Sequence, residues 1–155
     1  MRVEVVPGQR TSELRRSVLR PAWAPGTPMH GDDEPQALHL AALTDDGTVV
    51  GACVLFPRDD PDRPDVADAW QLRGMATAAE LRGQGIGAAV VAEAVRQVSA
   101  RGGRLLWCEA RIAAVDFYAR HGFVGAGETY LHAETGIEHR RMWRELSAVP
   151  TPSKG

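Results

Sequence analysis

The segment Arg82-Gly83-Gln84-Gly85-Ile86-Gly87 lies between an apolar strand-like run and a long amphipathic helix pattern, and it constrains this chain more than any other stretch. Three glycines let successive backbone N–H groups approach a ligand, and the helix start that follows adds its own positive end. The segment suits an anion, a pyrophosphate foremost, although a turn of this kind can also merely splice a strand to a helix. A nucleoside triphosphatase loop needs Gly-Lys-Ser/Thr at its end, and neither a lysine nor a hydroxyl follows Gly87. The dinucleotide fingerprint Gly-x-Gly-x-x-Gly opens a first βαβ unit, whereas Gly83, Gly85 and Gly87 lie in mid-chain. Both alternatives are disfavoured by spacing.

A chain of 155 residues, 44% of them hydrophobic, is long enough for one globular domain with an ordinary core. The domain is expected over residues 1–146, with a Pro- and Ser-rich frayed tail over 147–155. A formal net charge of -2 and no long basic run argue against nucleic acid as a partner and favour small molecules. Cys53 and Cys108 sit in apolar runs, which reads as buried reduced thiols and not as a disulfide or a metal site. The start Met1-Arg2-Val3-Glu4 has no apolar signal core and no run approaches membrane-spanning length. A cytoplasmic protein without membrane partners or metal is expected.

The order of patterns is that of a mixed α/β chain. Val3 to Val6 predicts a strand, and Thr11 or Ser12 can cap a helix with Leu14, Val18 and Leu19 on one face, stopped by Pro21. Residues 21 to 36 carry four prolines and the acidic trio Asp32-Asp33-Glu34, and read as an irregular loop. Leu38, Leu40 and Ala42 alternate ahead of Asp46-Gly47, which predicts a type I′ hairpin into Thr48 to Phe56. Pro57 to Asp68, with three prolines and five aspartates, reads as an exposed loop, and Trp70 to Ala76 as a strand. The helix after the glycines has Ile86, Val90, Val91, Ala94, Val95 and Val98 on one face and ends at Arg101-Gly102-Gly103. Arg104 to Ala110, Phe123 to Gly127 and Ile137 to Leu146 predict further strands, with a short helix over about Ala113 to His121.

Three motifs in this order resemble the Gcn5-related N-acetyltransferase superfamily: Gln71-Leu72-Arg73-Gly74-Met75-Ala76-Thr77, Arg82-x-x-Gly85-x-Gly87, and Ala114-Val115-Asp116-Phe117-Tyr118 before His121-Gly122-Phe123. The resemblance implies a central mixed, mostly antiparallel twisted sheet flanked by helices, with acetyl-coenzyme A as cosubstrate. By the same resemblance the pyrophosphate is gripped by Arg82, Gly83, Gln84, Gly85, Ile86, Gly87 and Ala88. Met75, Ala76 and Thr77 would face the pantetheine and the thioester carbonyl, and Tyr118 would protonate the departing thiolate. Leu19-Arg20-Pro21, Leu72-Arg73-Gly74-Met75, Trp107-Cys108-Glu109-Ala110-Arg111 and the late His139 are further similar to the bacterial glyphosate N-acetyltransferase branch. That likeness implies Arg20, Arg73 and Arg111 as a pocket for an acidic substrate and His139 as the base. A homodimer is implied by family likeness alone.

The branch usually has Asn where this chain has Glu109. A carboxylate there offsets part of the pocket's positive charge or binds the ammonium of the substrate, and Glu109 is the reserve base. The expected reaction is direct transfer of acetyl to a small, acidic amine, without a covalent enzyme intermediate and without a task for either cysteine. Two other readings stay open, a protein or peptide amino group as acceptor and a non-catalytic acyl-coenzyme A sensor. His30, His39, His121 and His132 read as structural or solvated, and Trp23, Trp70, Trp107 and Trp143 as packing, although Trp23 in the proline loop could line the acceptor site.

Overall fold

Apolar alternation and helical period carry through into a computed structural model that describes residues 1–29, 31 and 34–146. His30, Asp32, Asp33 and the tail expected at 147–155 lie outside the described residues. The elements in chain order are β1 (Arg2–Val6), α1 (Gln9–Leu19), β2 (Leu38–Leu43), β3 (Val49–Pro57), β4 (Ala69–Thr77), α2 (Ile86–Ala100), β5 (Leu105–Arg111), α3 (Val115–Arg120), β6 (Val124–Leu131) and β7 (Glu138–Glu145). Short 3-10 turns precede α2 at Ala79–Leu81 and α3 at Ile112–Ala114. The chain divides into two compact units, Met1–Phe56 with Leu72–Ala94, and Pro57–Gln71 with Val95 onward.

In the first unit the strands lie in the order β1-β2-β3-β4. β1 runs antiparallel to β2 with Val3 opposite Ala42, and β2 antiparallel to β3 with Leu40 opposite Cys53. β3 is buried along nearly its whole length, which explains its continuous apolar run. Ile86, Val90, Val91 and Ala94 of α2 are buried. They can approach because Gly51 of β3 has no side chain: a Cβ there would stand 2.6 Å from Ile86 Cγ2 and 3.3 Å from Val90 Cγ2.

In the second unit the order is β5-β7-β6, antiparallel throughout, with Trp107 opposite Trp143 and Val124 opposite Trp143. Ala69, Leu105 and Trp107 form an apolar cluster against which Val66 and Trp143 pack. Burial of such side chains is worth roughly 1.5–3 kcal/mol each. The indole N–H of Trp107 donates to the Arg58 carbonyl at 2.8 Å, so its polar edge is satisfied. Both cysteines are free and buried, as expected, and burial pushes the Cys53 thiol up to about 12.

Mixed α/β composition and mostly antiparallel strands agree with the sequence, but several local readings are corrected. α1 starts at Gln9 and, among the described residues, has no side-chain cap. The Thr11 and Ser12 hydroxyls instead donate to the Gly8 carbonyl at 3.0 and 3.2 Å, inside the first turn. Its buried residues are Thr11, Arg15 and Arg16, while Leu14, Val18 and Leu19 are only half-buried. The β2–β3 hairpin is not type I′, because Gly47 takes a φ of +84° and Asp46 stays at negative φ. The Asp46 carboxylate accepts from the Thr44 hydroxyl and the Thr48 N–H, holding a longer loop closed. Within the exposed 57–68 loop, Asp60 is fully buried.

Helix ends follow the glycines. Gly102 has φ +80°, and the Gly103 N–H closes onto the Val98 carbonyl at 2.9 Å. At the end of α3, Gly122 has φ +86° and the Phe123 N–H returns to the Tyr118 carbonyl at 3.1 Å. α3 itself is shorter than expected, its first residues forming the 3-10 turn, and β6 is longer, reaching Leu131.

Candidate active site

The glycine segment forms an exposed turn leading into α2. Gly83 and Gly85 take φ of +83° and +82°, with Gln84 between them, so two left-handed steps aim the backbone outward. The Ala89 N–H is the first to close back, onto the Gly85 carbonyl at 3.1 Å. The N–H groups at the start of the helix ahead of it have no intrahelical acceptor. Arg82, Gly83, Gln84 and Gly85 are exposed, Gly87 and Ala88 are half-buried, and only Ile86 turns inward as the anchor over Gly51. Outward N–H groups, a positive helix end and an exposed guanidinium fit a pyrophosphate, and the residues present are therefore suited to coenzyme A.

β4 carries the residues expected beside the thioester. Gly74 has φ +62° in mid-strand, and the burial alternation fails there, with Arg73, Gly74 and Met75 all half-buried in succession. Beneath it lies Arg15 of α1, 1% exposed, whose Nε donates to Thr11 Oγ1 at 3.0 Å. A Cβ on Gly74 would meet Arg15 Cδ at 3.1 Å. Ala76 is buried and Thr77 half-buried. Arg20 ends α1, with Nη1 donating to the Leu19 carbonyl at 2.8 Å and its guanidinium 5.7 Å from the centre of the exposed Trp23 ring. The Arg16 guanidinium ties the following loop down by donating to the Trp23 carbonyl at 2.7 Å and to Glu13.

In the second unit, strand register collects a polar face. Directly opposed residues share a face in an antiparallel pair. Trp107, Glu109 and Arg111 of β5 are opposite Trp143, Arg141 and His139 of β7, and Tyr130 of β6 is opposite His139. Glu109, Arg111 and His139 are thus brought together. His139 is buried, and its Nδ1 lies 2.8 Å from the Ile137 carbonyl. A carbonyl only accepts, so Nδ1 carries the proton and the lone pair of the neutral ring is on Nε2. Burial holds the His139 pKa below its usual value, opposed by the Ile137 carbonyl, with the Arg111 charge acting in the same direction as burial.

His132, read from sequence as structural or solvated, joins this group. Its Nε2 lies 2.8 Å from Glu109 Oε2, and its ring centre is 4.7 Å from that of His139. Tyr130 packs 6.3 Å from His139, and the Arg141 guanidinium lies over Tyr130 at 5.5 Å while donating to Asp62 at 2.9 Å. The Tyr130 hydroxyl is pushed up to about 12, by burial and then by the Glu109 carboxylate. The alternation Trp107-x-Glu109-x-Arg111 was visible in the sequence, but the partners on β6 and β7 depend on a register that a single strand does not encode.

Tyr118 is buried on α3, edge-on to Phe117 at 5.2 Å and to Phe123 at 5.3 Å. His121 packs on Phe117 at 4.7 Å, and its carbonyl accepts from Arg144 at 2.9 Å. His39 is buried against Gly8, where a Cβ would stand 2.7 Å from its Nε2, so this histidine is a packing residue. Among the described residues no three His, Cys, Asp or Glu side chains gather as metal ligands, and no helix is long and apolar enough to cross a membrane.

Comparison with known proteins adds to this geometry. The sequence model of the Acetyltransferase (GNAT) family matches residues 9–123. An uncharacterized N-acetyltransferase of Bacillus subtilis (strain 168), YitI, is 27% identical over 130 residues, covering 84% of this chain and 87% of that protein. Among solved structures, an aminoglycoside 6'-N-acetyltransferase complexed with coenzyme A superposes with a TM-score of 0.75 at 16% identity, covering 98% of this chain and 99% of its own. Escherichia coli ElaA superposes with a TM-score of 0.72 at 15% identity, covering 93% and 99%.

Proposed function

The chain belongs to the GNAT acetyltransferase family and is an acetyl-coenzyme A dependent N-acetyltransferase, and from that premise we propose that its acceptor is a small amine bearing a carboxylate or phosphonate. The observation that carries this reading is the cross-strand pair Arg111–His139. It sets a permanent cation beside an imidazole whose Nε2 holds the lone pair. An acid group seated on Arg111 brings the amine of the same small molecule to the base, and Arg20 and Arg73 are assigned to the same anion-binding task. This reading keeps the chain in the glyphosate N-acetyltransferase-like branch.

Bound acetyl-coenzyme A supplies the acetyl group as a thioester. Arg82 and the backbone N–H groups from Gly83 to Ala88 hold its pyrophosphate, and Met75, Ala76 and Thr77 line the acyl arm. His139 Nε2 takes one proton from the acceptor ammonium, freeing the nitrogen lone pair to form the C–N bond. Backbone donors near Met75 stabilise the charge that grows on the carbonyl oxygen, an effect typically worth about 2.7–4 kcal/mol. As the C–S bond breaks, the Tyr118 hydroxyl gives its proton to the sulfur, the acylated nitrogen passes its second proton through solvent to the Tyr118 phenolate, and His139 releases its own to solvent. A base that is buried and held below the usual histidine pKa stays unprotonated at neutral pH, ready for this role.

The test is thiol release across a panel of amino acids, aminophosphonates and polycationic amines. Turnover of the acidic amines, with a KM that rises on Arg111→Gln, is expected. Good turnover of basic amines with none on acidic ones rejects the pocket.

A further inference from the structure

We propose that Glu109 and His132 form a positioning pair for His139, in which the carboxylate fixes the His132 ring and that ring, packed on the imidazole, brings the carboxylate's charge to bear on the proton His139 takes up. The proposal rests on the reading of His139 as general base. The hydrogen bonds of the pair leave one assignment. The Glu134 N–H points at His132 Nδ1 at 3.2 Å, so Nδ1 accepts and the His132 proton is on Nε2, donated to Glu109 Oε2 at 2.8 Å. His139 has the complementary tautomer, with Nδ1–H donated to the Ile137 carbonyl. The two rings, centres 4.7 Å apart and tilted by 42°, are thus each locked by the backbone of the β6–β7 turn.

The turn is itself closed by the His132 N–H to the Ile137 carbonyl at 2.9 Å, so one carbonyl ties both histidines together. The groups facing His139 are Glu109 and Arg111 from β5, Tyr130 from β6, His132 from the turn and Arg141 from its own strand. Arg141 is paired with Asp62, whereas His132 and the Arg111 charge both oppose protonation of His139. Glu109 is the one carboxylate in this set and the counterweight when the imidazolium forms.

The test is an NMR titration of the His139 ring alongside the pH profile of kcat/KM, in the unaltered protein and in Glu109→Gln. The amide oxygen of Gln still accepts the His132 proton, so position is kept while the negative charge is removed. The His139 midpoint is expected to fall by about half a pH unit, and the ascending limb of kcat/KM to move with it. Loosening of the site would let in water and raise the midpoint, so an upward shift, or none, overturns the proposal. Nitrogen shifts of the unaltered protein that place the His132 proton on Nδ1 overturn it too. A midpoint that falls while the kcat/KM limb stays fixed supports the coupling and removes the base assignment instead. In His132→Phe, which keeps the ring but cuts the link, a second change Glu109→Gln is expected to cost no further kcat, and a full additional loss overturns action through His132.

Discussion

At the residue scale, the proposed chemistry turns on which ring nitrogen of His139 holds a proton. With Nδ1 committed to the Ile137 carbonyl, His139 accepts a proton only on Nε2. Its folded pKa lies below the ordinary histidine value, chiefly through burial, so the base-competent neutral form persists to more acidic pH than it would for an exposed histidine. kcat/KM should therefore rise with pH along a limb centred below about 6.5. His139→Gln is expected to remove that limb and lower kcat by roughly 10²–10⁴-fold, with acetyl-coenzyme A affinity retained, measured by steady-state kinetics and ligand titration. Asp60 supplies an opposite case. It is fully buried, Oδ1 accepts the Asp62 N–H at 2.9 Å, Oδ2 has no hydrogen-bond partner among the described residues, and burial raises its pKa. A carboxyl raised in the folded state favours folding at low pH and loses that advantage as pH rises through its folded pKa. Asp60→Asn should accordingly stabilise the protein by about 1 kcal/mol at neutral pH and by little under acidic conditions, read from urea melts at both.

At the element scale, the helix that presents the glycine turn is held close to β3 by the missing side chain of Gly51. Gly51→Ala puts a methyl group 2.6 Å from Ile86 Cγ2, and α2 has to shift outward. The expected result is a loss of about 1–3 kcal/mol in stability together with a higher KM for acetyl-coenzyme A. Gly85→Ala separates conformation from bulk, since no atom of the described residues lies within 4 Å of its Cβ but φ is +82°. Its cost should be about 1 kcal/mol, and the weakened acetyl-coenzyme A binding should exceed what that stability loss explains, as calorimetry would show.

At the scale of the whole molecule, binding and folding are linked. Acetyl-coenzyme A at about 100 times its Kd should stabilise the protein by about 2.7 kcal/mol, visible as a higher Tm, and the gain should be smaller in Gly85→Ala. The glycine turn and α2 were legible in sequence because a 3.6-residue apolar period and left-handed glycines are local signals. Arg15 and Arg16 were not, because an arginine reads as surface until its partners, Thr11 and Glu13, are known one turn away on the same helix. Asp60 was hidden in a run of prolines and aspartates that otherwise is solvated. His132 emerged only from the pairing of β6 with β7, which places it beside Glu109 across the face of the unit. The same pairing contains a register shift between Ala126 and Tyr130, and β6 is the last strand in its row. Val124 and Leu131 on that strand are exposed at 47% and 71%. An apolar terminal strand invites another chain to add to it, but a bulge between Ala126 and Tyr130, which contains Gly127, interrupts the row of backbone donors and acceptors that such an addition would need. The irregularity that turns Tyr130 toward His139 thus also guards this border against aggregation.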